Sequence, residues 1–481
     1  MQARWSFLVS FAEKYTLLVL NTAGTMILAR LLTPAEIGVY AVGAVLAGLA
    51  QAVRDFGVGS YVIQEKQLTE EKLRAALGTS LCVAWSLALA VLLSSGLAAR
   101  FYRDPRLSTV LQLLSINFLL IPFSSLALPY LRRQMRFSAI FGINITSSVT
   151  QLLVSVAGAW FGYGYLSLVW GAVAGTVAAL TASICCWPRG LPWLPARRGM
   201  KAILSFGSIS TASSVIDELG VAAPDLIIGK MMGVAEVGIF GKAQGVVNVF
   251  NQLVTGAISP VLFPLFSAQA RAGGDLRLAY LTTASYMTVL AWPFFGFVAI
   301  MAPDVVRVLY GDQWDACVPL IRVICLSSAL YSMFSMARYL FVAMGAVRTQ
   351  AKLEALSVPV RVVAVLLAAP FGLEWVAWAV VVGAVFRSCW TFMYLRRLAG
   401  LQLWALIVAV RCSALVASVS LCGPLLLVAC YPMQPAYALN QLMIAALSAL
   451  LPWLGAVLCF RHELAAECTL AGRKAWAMLG K

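Results

Sequence analysis

The sequence predicts an all-α polytopic membrane protein with about 14 transmembrane helices. Of its 481 residues, 62% are apolar and only 11% are charged, whereas a soluble domain is typically about 45 to 50% apolar and about 25% charged. The mean hydropathy of +0.89 points the same way. Since a spanning helix needs about 20 apolar residues, the chain can supply about 14 such helices and has little left for a soluble domain.

Fourteen apolar segments, separated by charged residues or by Pro and Gly, are the predicted spans. They lie at 8–29, 35–62, 75–99, 107–129, 138–161, 164–187, 202–224, 236–264, 278–301, 316–342, 353–371, 374–395, 404–430 and 437–460. An even number of spans places both termini on the same side. The loops on one side hold 21 Lys and Arg and those on the other side hold six. Because cytoplasmic loops keep the excess of positive charge, both termini are predicted to be cytoplasmic, and the net charge of +16 implies no nucleic-acid partner.

Metal binding and covalent catalysis are not predicted. The 11 cysteines lie mostly in apolar segments without a C-x-x-C pair, and His462 is the only histidine. Zinc sites need closely paired Cys or His ligands, so we predict no metal and no cofactor. A His-dependent triad would have to use His462, which we interpret as an interfacial residue. The longest outer loops hold about a dozen residues, too few for a catalytic domain, and the protein is predicted not to be an enzyme.

The two halves of the chain resemble each other at an offset of 200 residues. Residues 35–40 (AEIGVY) align with residues 235–240 (AEVGIF), and the same register pairs Gln51 with Asn251. Because a unit of six spans preserves orientation, this pattern predicts a parallel repeat about an axis along the membrane normal. The proline-containing segment 188–201 separates the halves.

The repeat predicts two six-helix lobes in parallel pseudo-repeat around a central cavity. The N-terminal lobe is placed at 1–190 and the C-terminal lobe at 191–400, with two additional helices and a cytoplasmic tail at 401–481. Two lobes of this kind support alternating access, in which a site between them opens first to one side of the membrane and then to the other.

Eight cations fall inside the predicted spans, where a charge costs at least about 2.5 to 3.5 kcal/mol on insertion scales. They are Lys14, Arg54, Lys242, Arg322, Arg338, Arg361, Arg387 and Arg411. Any one of them could extend to an interface or form a structural pair. As a group they outnumber the acids in the spans, which favours an anionic ligand such as a phosphate. The acids are Glu13, Asp55, Asp217, Glu218 and Asp225; they could compensate neighbouring cations or carry coupling H⁺ or Na⁺.

A polar stripe runs along the eighth span. Gln244, Asn248, Asn251 and Gln252 follow each other at helical spacing on one face. Such a stripe suits a water-filled lumen, and it equally suits hydrogen bonding between neighbouring helices.

Several motifs resemble those of polysaccharide flippases of the Wzx type, in the multidrug/oligosaccharidyl-lipid/polysaccharide superfamily. They are residues 29–40 (ARLLTPAEIGVY), 55–59 (DFGVG) with Gln64, 225–230 (DLIIGK), 238–240 (GIF), 263–267 (FPLFS) and 308–314 (VLYGDQW). The resemblance implies a bacterial inner-membrane flippase that moves polyprenyl-diphosphate-linked oligosaccharide repeat units to the periplasmic leaflet, for exopolysaccharide or O-antigen biosynthesis. It also implies membrane lipids as partners, with a polysaccharide polymerase and co-polymerase as further candidates.

On this hypothesis, each group of polar residues has a predicted role. The diphosphate would be held by Lys14, Arg54 and Lys242. The sugars would contact Gln51, Asn248, Asn251 and Gln252. Candidates for ion coupling are Glu13, Asp55, Asp217 and Asp225. The alternative is a cation-coupled multidrug exporter on the same fold, which the excess of buried cations disfavours; a membrane enzyme and a scaffold are further alternatives.

Overall fold

The computed structural model describes residues 2–55, 57–188, 190–192, 194–196, 199–430 and 437–460. His462 lies outside these residues. All regular structure in the described part of the chain is helical, without a strand, so the all-α prediction is confirmed. The α-helices are Gln2–Leu31 (α1), Pro34–Asp55 (α2), Val58–Gln64 (α3), Glu70–Tyr102 (α4), Arg106–Leu120 (α5), Pro122–Ser125 (α6), Ala127–Arg133 (α7), Phe137–Trp160 (α8), Tyr165–Cys185 (α9), Met200–Met231 (α10), Val234–Phe250 (α11), Gly256–Arg271 (α12), Leu276–Ile300 (α13), Ala302–Leu309 (α14), Cys317–Ser332 (α15), Ala337–Ala343 (α16), Val347–Ala368 (α17), Leu373–Ala399 (α18), Leu403–Cys430 (α19) and Ala438–Cys459 (α20).

The protein is a multi-pass membrane protein. Among the described residues, 11 helical stretches are long and apolar enough to cross a membrane, and a twelfth results if α5 and the helix pair after its 43° bend at Pro122 form one span. Helices α1 and α10 cover the predicted spans 8–29 and 202–224 with 30 and 32 residues but are not among these stretches. The count of fourteen spans stays a prediction.

Some predicted spans are broken in the structure. The span predicted at 35–62 ends early, because α2 stops at Asp55 and Gly57 adopts a left-handed conformation with φ 64° before the short helix α3. A residue with a Cβ rarely adopts this conformation, so Gly57 permits the turn. The span predicted at 236–264 contains a π-helical segment at Asn251–Thr255, between α11 and α12.

The chain divides into two compact units, Met1–Ile239 and Phe240–Lys481. This division lies later than the linker at 188–201, because α10 packs against α2 and α4 and so belongs to the first unit. The predicted boundaries at 190 and 400 refer to the sequence repeat and stay a prediction.

Small residues bring helices together in the first unit. Helices α8 and α9 pack so closely that a Cβ at Gly171 would lie 1.8 Å from Ser155 Oγ, and one at Gly175 would lie 3.0 Å from Gln151 Cβ. Membrane helices commonly use small residues at such contacts, because lipid provides no hydrophobic force between helices.

The glutamate of the repeated Ala-Glu-x-Gly motif caps the start of a helix. Thr33 precedes α2 and its backbone N–H donates to Glu36 Oε2 at 2.9 Å, while the backbone N–H of Glu36 donates to Thr33 Oγ1 at 3.3 Å. This reciprocal pair is a capping box, which satisfies orphan donors at a helix start. In the second copy, Glu236 also folds back: a Cβ at Gly233 would lie 3.1 Å from Glu236 Oε2.

The glycine of the motif allows the two copies to touch. A Cβ at Gly38 would lie 1.7 Å from the carbonyl oxygen of Val234, and a Cβ at Gly238 would lie 2.4 Å from the carbonyl oxygen of Pro34. Both contacts lie within the first unit. Since Pro34 and Val234 are also 200 residues apart, the starts of α2 and α11 contact each other reciprocally, backbone against backbone.

Replacing Gly38 by Ala is expected to lower the stability of the protein. The new methyl group meets a backbone oxygen rather than a movable side chain, and overpacking of this kind costs about 1 to 3 kcal/mol or more. Gly96→Ala in α4 is the matched control, because nothing lies within 4 Å of a Cβ there; it should be neutral or slightly stabilising. Thermal unfolding of the purified proteins in detergent checks this, and equal midpoints for both variants would contradict the contact.

The second unit holds its C-terminal helices by hydroxyl hydrogen bonds. Thr288 Oγ1 on α13 donates to Ser413 Oγ on α19 at 3.0 Å, and Ser420 Oγ on α19 donates to the Ala449 carbonyl on α20 at 2.9 Å. The indole N–H of Trp453 donates to the Val289 carbonyl at 3.0 Å. Helices α19 and α20 are therefore packed into this unit through α13.

Candidate functional site

The structure ties Glu13 to a neighbouring helix. Its Oε1 accepts a hydrogen bond of 2.6 Å from Asn144 Nδ2 on α8, the helix along which α1 packs. An amide partner satisfies a carboxylate inside the membrane without a second charge. Lys14 follows on the same helix and is half-buried.

Two more predicted residues lie at the end of α2. Gln51 is exposed and Arg54 is half-buried, one helical turn apart. Asp55 is the last residue of the helix, and its side chain lies outside the described part of the structure. Because the chain turns at Gly57, these polar groups lie where a span ends rather than inside the continuous span predicted at 35–62.

Helix α10 contributes an acid that the sequence-based assignment of roles omits. Glu218 Oε1 lies 3.5 Å from the position of a Cβ on Gly48, so its carboxylate lies against α2 one turn before Gln51. Asp225, on the same helix after Pro224, is half-buried, and the side chain of Asp217 is outside the described part. Residue spacing within α2 could not reveal that Glu218 lies against this helix, because the contact joins two helices.

The predicted polar stripe in the second unit runs along the end of α11 into the π-helical segment. Asn248, Asn251 and Gln252 are exposed. Asn251 Nδ2 donates to Asn248 Oδ1 at 3.5 Å, and Thr255 Oγ1 donates to Asn251 Oδ1 at 3.4 Å. Ser259 Oγ continues the chain by donating to the Thr255 carbonyl. A π-helical turn inserts one residue into an α-helix and occurs frequently at functional sites.

Lys242 faces away from this stripe. Nine residues separate Lys242 from Asn251, which at 100° per residue places them on opposite sides of α11. Its Nζ lies 5.0 Å from the ring centre of Tyr310 and 5.6 Å from that of the buried Trp314, within range of cation–π attraction. The structure therefore explains the motif at 308–314 as an aromatic cradle for Lys242.

An apolar cavity of about 380 Å³ adjoins the π-helical segment. Leu253 and Val254 line it from the segment itself and Phe250 from the end of α11, and α13, α19 and α20 supply the remaining walls. Phe250 packs against Phe294 and Phe295, with ring centres 5.3 and 4.9 Å apart. One segment thus carries amide groups on one face and an apolar cavity on another.

The sequence profile of a family described as polysaccharide biosynthesis protein matches residues 27–319, more than half of the chain. The chain belongs to this family. The match includes α2, the π-helical segment and the Lys242 cradle, whereas Lys14 and the helices from α17 onwards lie outside it.

Several named proteins are similar to this chain at low identity. TuaB, a teichuronic acid biosynthesis protein of Bacillus subtilis, is 24% identical over 294 residues, 58% of this chain and 59% of TuaB. WzxC, a lipopolysaccharide biosynthesis protein of Escherichia coli, is 22% identical over 69% of this chain and 67% of WzxC. ExoT, a succinoglycan biosynthesis transport protein of Rhizobium meliloti, is 24% identical over 63% of this chain and 62% of ExoT. The matches thus span about three fifths to two thirds of these relatives, and they confirm the resemblance to Wzx-type proteins.

Solved structures confirm the fold class beyond the family. The lipid II flippase MurJ, in an inward closed conformation, has a TM-score of 0.77 at 12% identity, covering 96% of this chain and 99% of MurJ. An inward-facing multidrug resistance transporter of the MATE family has a TM-score of 0.63 at 14% identity, covering 82% of this chain and 98% of that chain.

The geometry of the π-helical segment predicts different accessibility for its two faces. In a variant with all cysteines replaced, Asn248→Cys or Asn251→Cys should react with a membrane-impermeant maleimide, because polar groups in a membrane protein normally face water. Leu253→Cys, in the apolar cavity, is the control and should react more slowly. Equal labelling of Asn251→Cys and Leu253→Cys would contradict the assignment of the two faces.

Proposed function

We propose that this polysaccharide biosynthesis protein is a flippase for polyprenyl-diphosphate-linked oligosaccharide repeat units, in the pathway of an exopolysaccharide or O-antigen. It would move them across the bacterial inner membrane from the cytoplasmic to the periplasmic leaflet. The observation that carries this proposal is the two-faced π-helical segment. The similarity of the chain to the transport protein ExoT and the fold that the chain shares with MurJ support the proposal.

The substrate has three chemical parts, and the proposal assigns a different group of side chains to each. The apolar cavity beside Phe250 and Leu253 suits the hydrocarbon chain, because burial of apolar surface drives such binding. The exposed amides of Asn248, Asn251 and Gln252, with Gln51 in the first unit, suit sugar hydroxyls, since an amide both donates and accepts hydrogen bonds.

The diphosphate needs cations, and Lys14, Arg54 and Lys242 are proposed to provide them. A charge at the bilayer centre costs at least about 2.5 to 3.5 kcal/mol, and an arriving phosphate offsets that cost by charge-assisted hydrogen bonds. Lys242 is the special case, because the rings of Tyr310 and Trp314 already attract its ammonium group. We propose that it moves from this cradle to the substrate.

Translocation is proposed to proceed by alternating access of two six-helix lobes, within fourteen spans and with both termini in the cytoplasm. No covalent bond is made or broken, so no catalytic residue is required. Coupling to H⁺ or Na⁺ is proposed to use Glu13, Asp55, Asp217 and Asp225, to which the position of Glu218 against α2 adds a fifth carboxylate. A polymerase and a co-polymerase are proposed to receive the exported units.

The function is tested by complementation in a strain that lacks its own exporter. The variant Lys14→Gln/Arg54→Gln should lose polymer export, because each lost charged hydrogen bond costs about 1.5 to 3 kcal/mol, about tenfold or more in affinity. Lys242→Gln is tested as a separate variant and should also reduce polymer export. The control is Lys66→Gln, an exposed residue between α3 and α4, which should export normally. Full export by a triple variant that combines Lys14→Gln, Arg54→Gln and Lys242→Gln would rule out the phosphate assignment.

A cation-coupled multidrug exporter is the second candidate, because a MATE transporter shares the fold. The excess of cations over acids in the spans disfavours a site for cationic drugs. A deletion strain that becomes drug-sensitive while its polysaccharide remains normal would support this candidate and contradict the flippase.

A further inference from the structure

A second cavity, with polar side chains in its walls, lies among the membrane helices of the second unit. It has a volume of about 200 Å³ and is enclosed by α15, α17 and α18. Its walls carry two guanidinium groups, a phenol and three hydroxyls, and the residues that supply them are Arg361, Arg387, Tyr331, Ser327, Ser328 and Ser357. None of the helices that line it is α11 or α12, so this cavity is separate from the polar stripe.

The two arginines lie deep in their helices. Each is fourteen residues from the first residue of its helix, Arg361 from Val347 in α17 and Arg387 from Leu373 in α18. At 1.5 Å per residue this is about 21 Å, well inside a hydrocarbon core of about 30 Å. Charges at this depth normally have a partner or mark a functional site.

One carboxylate is already engaged at the edge of the cavity. Arg387 Nη2 donates to Glu354 Oε1 at 2.5 Å, and Gln350 Nε2 donates to the same oxygen at 2.8 Å. The guanidinium of Arg387 also lies 5.2 Å from the ring centre of Tyr331. These contacts fix Arg387 in place at the edge of the cavity.

Arg361 supplies the second charge. Its stem packs against α18 where that helix has no side chain: a Cβ at Gly383 would lie 3.5 Å from both Cβ and Cγ of Arg361. The nearby glycine leaves room for the arginine between the two helices. The cavity therefore presents two guanidinium groups inside the membrane.

The buried donors indicate what kind of ligand would fit the cavity. Arg387 Nε and Ser357 Oγ are buried and make no hydrogen bond to other described residues. A buried donor without an acceptor costs about 1 to 3 kcal/mol, and a tetrahedral oxyanion accepts hydrogen bonds from guanidinium and hydroxyl groups together. We propose that the cavity binds a phosphate group, supplied either by the headgroup of an anionic phospholipid or by free inorganic phosphate.

The proposal does not depend on the flippase assignment. Arg361, Arg387 and Glu354 lie outside the region that matches the family profile, and binding is measured without transport. Loss of export in the complementation assay and loss of phosphate binding here are therefore separate results.

The test is thermal unfolding of the purified, delipidated full-length protein in detergent. One arm titrates inorganic phosphate against sodium chloride of equal ionic strength, and the other titrates phosphatidylglycerol against a phosphate-free diacyl glycolipid. A saturable rise of the unfolding temperature is expected in at least one arm. A response to the lipid alone assigns the headgroup, whereas a response to both assigns the phosphate group itself. No saturable response in either arm would overturn the proposal.

Variants connect the response to the cavity. Arg361→Gln should weaken the apparent affinity about tenfold or more, because it removes charged hydrogen bonds. Arg411→Gln in α19, an exposed intramembrane arginine outside the cavity, should bind as the parent does. If Arg361→Gln does not fold, Ser357→Ala decides, with an expected loss of about two- to tenfold for one neutral hydrogen bond. Unchanged affinity in the variant that folds would exclude this cavity as the site.

Discussion

The absence of water in the bilayer core is the constraint on which the rest of this structure depends. Each span must satisfy its own backbone groups, which confines the chain to helices, and every departure from an α-helix needs polar partners nearby. The turn after Asp55 adjoins Gln51 and Arg54, and the π-helical segment carries the Asn248–Asn251–Thr255 hydrogen bonds. At these two interruptions of an α-helix, polar side chains therefore lie where a ligand can bind.

The same constraint explains the repeated motif. Without a hydrophobic force between helices, close packing is the main attraction, and it requires small residues where two backbones meet. Gly38 and Gly238 meet this requirement reciprocally at the starts of α2 and α11. The adjacent Glu36 closes the start of α2 by capping. Packing and capping thus give the glycines and Glu36 of the motif a structural role.

Composition and periodicity predict most of the fold and less of the site. Hydropathy locates the helices, because a span is a local property of about 20 residues. The π-helical turn at Asn251, the contact of Glu218 with α2 and the cradle of Lys242 depend on contacts between helices, which no local pattern contains. The sequence does predict that Lys242 and Asn251 lie on opposite faces of a helix, because nine residues at 100° per residue amount to two and a half turns.

The cations of the second unit differ in the groups that hold them. The Lys242 ammonium lies against two aromatic rings, which attract it without neutralising it, so it stays available to an anion. Arg387 forms an ion pair with Glu354, which fixes the position of its guanidinium group. Arg361 adds a second guanidinium group to the cavity that Arg387 lines. Because a cation that aromatic rings attract without neutralising it keeps its field in a medium of low dielectric constant, Lys242 is the cation of this unit that best fits the proposed contact with an anion.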